Sequence, residues 1–224
     1  MILNTGENCL SSKNKLLSTI AYRINGQTSY ALEGSIFIAG AGVQWLRDEM
    51  KLIDHASETQ AICEGLEGNH GVYLVPAFTG LGAPYWDPDV RGALFGLTRD
   101  TGRKHVVRAT VESVVYQTHD LFAAMANDGA HPKSLRVDGG MVANDWMVGH
   151  LADVLNLPVE RPQILETTAM GAAYLAMIGV GMVGGLDDLA TLWNRDRLFE
   201  PNMLQKTRNS LLDGWADCVR RLLA

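Results

Sequence analysis

The chain has 224 residues, 47% of them hydrophobic and 20% charged, with a net charge of −6. That composition is globular and excludes a disordered or fibrous protein. The acidic excess disfavours a general nucleic-acid binder, which needs basic surface to displace counterions.

In chain order, Leu16 to Ile24 reads as a strand and Gln27 to Leu32 as its partner. Asn25-Gly26 between them is a hairpin signal, because both central residues of a type I′ turn need positive φ. Gly34 opens an apolar helical run through Trp45, Leu46 and Met50, and a polar helix covers Ser57 to Glu64. Val72 to Ala77 is a short apolar strand that runs into the loop Thr79-Gly80-Leu81-Gly82-Ala83-Pro84, and Ala93 to Leu97 is another strand. Lys104 to about Ala126 is a long amphipathic helix carrying Val106, Val107, Val111, Val114, Leu121 and Phe122. Ser134 to Val137 and Val159 to Arg161 read as strands around a helix from Ala143 to Leu155. Thr168 to Val180, Leu186 to Trp193 and Asn202 to Ala224 read as helices. Strands alternating with helices argue for an α/β fold with a mixed sheet, in one domain.

Thr167 to Leu186 carries no charge, which prompts a membrane reading. Four of its five glycines cluster toward the end, so a buried Ala-rich helix breaking near Val180 explains it better than a span. Met1 to Glu7 has neither the basic nor the apolar region of a signal peptide. Cys9, Cys63 and Cys218 show no metal or disulfide spacing, and a reducing compartment suits them.

P-loop, G-x-S-x-G and H-E-x-x-H motifs are all missing from the sequence. A literal G-x-G-x-x-G at Gly179 to Gly184 ends a helical pattern; dinucleotide binding needs a strand before it and a helix after it. It reads as a helix C-terminus. Asp138-Gly139-Gly140 with Asn144 is more informative, since a strand enters it and a helix leaves it. Bare backbone there can approach a ring or phosphate, and a helix N-terminus offers N–H groups. Equally, Asp-Gly-Gly is a common turn and Asn144 a good N-cap. Gly40 and Gln44 stand four apart on one helix face. A glycine inside a helix is unfavourable by ~1 kcal/mol against alanine, so something close-packed should sit over it. That is a nucleobase or a neighbouring helix.

The run Phe78 to Pro88 is a shaped loop or a rigid turn packing its own aromatics. The six histidines show no paired metal spacing. Glu112, Gln117 and Glu166 face either a cleft or, as the default, solvent.

Several long segments together resemble the C-terminal part of the FGGY carbohydrate kinases. They are Phe78-Thr79-Gly80-Leu81-Gly82-Ala83-Pro84-Tyr85-Trp86-Asp87, Arg91 to Thr98, His105 to Glu112, Arg136 to Asn144 and Thr168 to Ala176. Met1 to Gly6 also aligns, and the loop through Trp86 points to the glycerol-phosphorylating members. The resemblance implies an actin-like ATPase (ribonuclease H-like) fold, with residues 1–224 as the ATP-binding C-terminal lobe and no N-terminal lobe. It implies ATP and Mg as cofactors, and nucleotide contacts at Gly40, Gln44, Gly140 and Asn144.

No catalytic residue and no metal ligand are carried over to this chain. The family's aspartate base belongs to a Gly-Asp-Gln segment expected upstream of Met1. The implied reaction, phosphorylation of glycerol to glycerol 3-phosphate, is therefore expected only of the intact parent. By itself the chain is expected to be inactive and to hold ATP weakly or not at all. A cytoplasmic location, no nucleic-acid or membrane partner, and self-association through an exposed cleft face complete the expectation. The alternatives are the lobe of another FGGY sugar kinase and a non-catalytic actin-like interaction domain.

Overall fold

The computed structural model describes residues 1–224. In chain order its elements begin with β1 (Ile2–Gly6), β2 (Leu17–Ile24), β3 (Gln27–Glu33), α1 (Gly40–Asp48), α2 (Glu58–Glu64), β4 (Tyr73–Val75), β5 (Ala93–Phe95) and α3 (Arg103–Asn127). They continue with β6 (Leu135–Arg136), a 3-10 turn (Gly140–Ala143), α4 (Asp145–Leu155), β7 (Val159–Pro162), α5 (Thr167–Gly179), α6 (Leu186–Ala190), β8 (Arg195–Phe199) and α7 (Gln205–Leu222). The chain divides into two compact units, Met1–Pro132 with Met203–Ala224, and Lys133–Asn202.

In the first unit, β1, β3 and β2 form an antiparallel sheet in that order. Asn25 and Gly26 have φ of 51° and 83°, as a type I′ turn requires. That turn sets the register, with Ile24 opposite Gln27 and Leu17 opposite Glu33. Leu32 packs with Leu16, Ala83, Leu121, Ala124 and Met125 in one core cluster.

The helix expected from Gly34 begins only at Gly40. The intervening segment is pinned by contacts distant in sequence. The Ala83 N–H donates to the Ser35 carbonyl at 3.1 Å, and a Cβ on Gly34 would stand 2.6 Å from Leu121 Cδ2.

Helix α3 contains no glycine or proline along its length, so nothing interrupts its hydrogen-bond ladder. It packs against α1, α2 and β4. The default of a solvated face for Glu112 and Gln117 is wrong: both are buried. Gln117 Nε2 donates to the Ile38 and Ser113 carbonyls at 3.3 and 3.1 Å, while Glu112 is held by Arg108 and Tyr116. Burial is tolerated because these polar groups have partners. Trp215 of α7 lies 5.4 Å from the Tyr116 ring, and Tyr116 lies 5.8 Å from Tyr73 of β4.

The loop after β4 is a braced turn. Leu81 and Asp87 exchange backbone hydrogen bonds of 2.7 and 3.1 Å. Tyr85 Oη donates to Asp120 Oδ2 at 2.8 Å, and Trp86 Nε1 donates to the Lys15 carbonyl at 2.6 Å. The three cysteines are free, and burial pushes the Cys63 thiol up to about 12.

The second unit holds a mixed sheet in the order β6-β7-β8, with β6 parallel and β8 antiparallel to β7. β8 escapes sequence reading because Arg195-Asp196-Arg197 is charged and exposed, and only its pairing with β7 makes it a strand. Helix α4 buries Met147, Val148, Leu151 and Val154.

Helix α5 stops as expected. The Gly181 and Met182 N–H groups donate to the Ile178 and Met177 carbonyls, with Gly181 at φ 73°. That is a Schellman ending, which glycine makes readily. The helix is apolar all round but is not buried, contrary to expectation: none of its residues is enclosed. No helix of the chain is long and apolar enough to cross a membrane.

Candidate functional site

The turn between β6 and α4 leaves its glycine backbone open. Gly139 has φ 84°, a left-handed conformation natural to glycine. At Gly140, and at Gly139, no atom lies within 4 Å of where a Cβ would stand. Neither glycine is there to let the protein pack on itself, so the turn offers bare backbone to whatever approaches it.

Asn144 then starts α4, its Oδ1 accepting from the Met147 N–H at 2.9 Å. The N-cap alternative for Asn144 is thus observed. Asn144→Ala is expected to lower the stability of the chain by about 1 kcal/mol, whereas Asn144→Asp keeps the cap. Urea unfolding of both variants checks this. Equal midpoints for the two would show the cap to be dispensable.

The turn is held from three directions. The Gly139 N–H donates to the Leu165 carbonyl at 3.1 Å. Thr167 Oγ1, in the first turn of α5, donates to Asp138 Oδ2. From β7, Arg161 Nη1 donates to the Val142 carbonyl at 2.8 Å and to Asp145 Oδ1 at 2.6 Å. Burial works to lower the Arg161 pKa, but the hydrogen bonds it donates to Asp145 and Asp196 outweigh it and raise the value. Arg161 and Thr167 carry no local signal of this role in the sequence. They reach the turn only through the β6–β7 pairing and the chain that follows it.

The other sequence-predicted pair lies in the first unit. Gly40 is the first residue of α1, not an interior one, so the penalty for a glycine inside a helix does not apply to it. The close-packed glycine is Gly42, whose added Cβ would stand 3.1 Å from Thr110 Cγ2. Gly40 and Gln44 do share a face one turn apart, and Gln44 is exposed. No side chain caps α1, and its first turn holds no acidic residue. Its first N–H groups are therefore not matched by a nearby carboxylate. Glu166 is exposed beside α5.

The residues fit a nucleotide better than a metal. Open glycine backbone and helix N-termini suit rings and phosphates. No group of three or more His, Cys, Asp or Glu side chains is placed to hold a metal ion.

Comparison with known proteins places this architecture. The fold is that of the actin-like ATPases, seen in solved sugar kinases. A family model described as the C-terminal domain of the FGGY family of carbohydrate kinases matches residues 1–180, and the chain belongs to that family. It is 57% identical over 222 residues to a glycerol kinase of Alteromonas mediterranea, covering 99% of this chain and 45% of that protein. It is 59% identical over 221 residues to a glycerol kinase of Rhodospirillum centenum, covering 99% and 44%.

Among solved structures, Plasmodium falciparum glycerol kinase with ADP matches with a TM-score of 0.90 and 38% identity, over 100% of this chain and 45% of that one. A ligand-bound xylulose kinase from Lactobacillus acidophilus shares the fold, with a TM-score of 0.84 at 20% identity over 100% of this chain and 46% of that one. The chain spans less than half the length of these relatives.

Proposed function

We propose that the chain is the nucleotide-binding lobe of a kinase that moves the γ-phosphoryl group of ATP to a glycerol hydroxyl, giving glycerol 3-phosphate. The observation that carries this reading is identity of 57% to a glycerol kinase along 99% of the chain. Phosphoryl transfer is chiefly positioning and charge stabilisation, and the lobe's share is to hold the nucleotide. In the second unit Gly140 and Asn144 are its proposed contacts, with the purine against the open turn. In the first unit Gly40 and Gln44 are the proposed contacts, on α1. ATP supplies the phosphoryl group. The base that takes the hydroxyl proton is assigned to no residue of this chain. By itself the chain therefore turns over no glycerol.

A cytoplasmic location belongs to the same reading and suits three free cysteines. Self-association belongs to it as well, since Ile2 and Leu17, both in register with Glu33, are exposed on the first sheet.

The test substitutes the 224 residues for the matching part of the Alteromonas relative. The chimaera is expected to phosphorylate glycerol at the expense of ATP. Gly140→Val in it is expected to raise KM for ATP by about tenfold, because a branched side chain fills the space left for the ring. A folded chimaera that consumes no ATP with glycerol would overturn the reading.

A further inference from the structure

The Arg161 side chain is only 13% exposed, and its hydrogen bonds do more than pair charges. Nη1 reaches the Val142 carbonyl at 2.8 Å and Asp145 Oδ1 at 2.6 Å, while Nε donates to Asp196 Oδ2 at 2.8 Å. One planar fork thus ties the 3-10 turn, the first residue of α4 and strand β8 to β7. The Phe199 ring lies 5.4 Å away under the guanidinium, which limits its swing. Arg197 Nη1 takes the second oxygen of Asp145, so Asp145 is clamped from both sides. Only a guanidinium presents several donors in fixed directions; an ammonium on a flexible stem is a point charge.

We infer that Arg161 is a positioning residue, which acts through the Val142 carbonyl and Asp145 to hold Gly139–Asn144 in the conformation that receives the nucleotide. This rests on the proposed nucleotide site at that turn. Arg161 itself need touch no ligand. Its effect is to make the bare glycine backbone and the start of α4 rigid before binding, so that less ordering is left to binding itself.

The test uses the whole chain for backbone-amide hydrogen exchange and the chimaera described above for titration with ADP. In Arg161→Lys the charge stays but the fork is lost. Amides of the turn and of the first residues of α4 are expected to exchange about tenfold faster, and the ADP dissociation constant to rise by a similar factor, with exchange in β4 and α3 unchanged. Asp196→Asn removes only the outer tie and should give a smaller effect of the same sign, about threefold. A role in bulk charge balance alone would be restored by lysine.

Turn amides that exchange in Arg161→Lys as they do in the wild type would overturn the positioning role, whatever ADP does. Turn amides that loosen as expected, while ADP protects no amide of Gly139–Asn144 in the chimaera, would overturn the nucleotide reading and with it the ligand purpose of the clamp. The two failures are told apart by which of the two measurements gives way.

Discussion

Arg108→Met is expected to destabilise the chain by about 3–5 kcal/mol, among the largest effects of any single substitution. Arg108 Nε donates to Glu112 Oε1 at 2.7 Å, one helical turn away on α3. Arg108 Nη1 also serves the Cys63 and Leu66 carbonyls, at 3.3 and 2.5 Å, which ties α2 and the residues after it to α3. Glu112 has no exposed side-chain surface, and its other oxygen accepts from Tyr116 Oη at 3.2 Å.

Removing the guanidinium takes the charged donor from a carboxylate with no exposed surface and a donor from the Cys63 and Leu66 carbonyls. The loss should also depend on pH. Burial already raises the Glu112 carboxyl above its ordinary value, and the charge and hydrogen bond of Arg108 pull it back. Without Arg108 the folded-state value moves further up. A carboxyl raised on folding favours the native state most below its unfolded value of about 4.3, and that stability is lost as pH rises through the folded value. Urea unfolding should therefore find Arg108→Met less impaired at about pH 5 than at about pH 8. A pH-independent loss would show that Glu112 stays ionised without its partner. The double variant Arg108→Met with Glu112→Leu should recover part of the loss, since the unpaired charge is gone.

Parts of this molecule were legible in the sequence because they are settled locally. Asn25-Gly26 specifies its own turn, since few other pairs accept two positive φ values. The glycines after α5 specify a helix ending, which is why the G-x-G-x-x-G there was rightly not read as a dinucleotide loop. Other parts depend on residues far away in the chain. Gly34 to Ala39 reads as the start of the apolar run that continues through Trp45, yet Ser35 is held by Ala83, 48 positions on (83 − 35), and the helix must wait. Glu112 and Gln117 look like the polar side of an amphipathic helix; only the elements packed around α3 bury them. Gly40 drew attention for a reason that belongs to Gly42, because spacing gave the face of α1 but not where the helix begins. The turn at Gly139–Asn144 was visible as strand, glycines and cap. Its clamp, Arg161, sits in Val159-Glu160-Arg161-Pro162, where nothing local distinguishes it from any strand arginine.

Gly96→Ala is expected to be as damaging as the loss of Arg108, for a reason of backbone geometry. Gly96 follows β5 with φ 76°, which by itself costs an alanine roughly 1–2 kcal/mol. A Cβ there would also stand 1.8 Å from the Gly71 carbonyl oxygen and 2.7 Å from its carbon. Both are main-chain atoms, so no rotamer change relieves the overlap. Either β5 or the chain entering β4 must move. Tyr73 opposite Phe95 and Leu74 opposite Leu94 fix that pair, and Val72 and Leu74 form a buried cluster with Ala109 of α3. Separating the two strands therefore opens an apolar seam as well as breaking hydrogen bonds, and the total is expected at about 3–5 kcal/mol. Gly129→Ala supplies the comparison: Gly129 has φ 85° but nothing within 4 Å of its added Cβ. It should show the conformational part alone, about 1–2 kcal/mol. Equal urea midpoints for the two variants would show that the close approach of Gly71 is not what demands a glycine. A clearly lower midpoint for Gly96→Ala assigns the difference to backbone contact between the strands that seat α3.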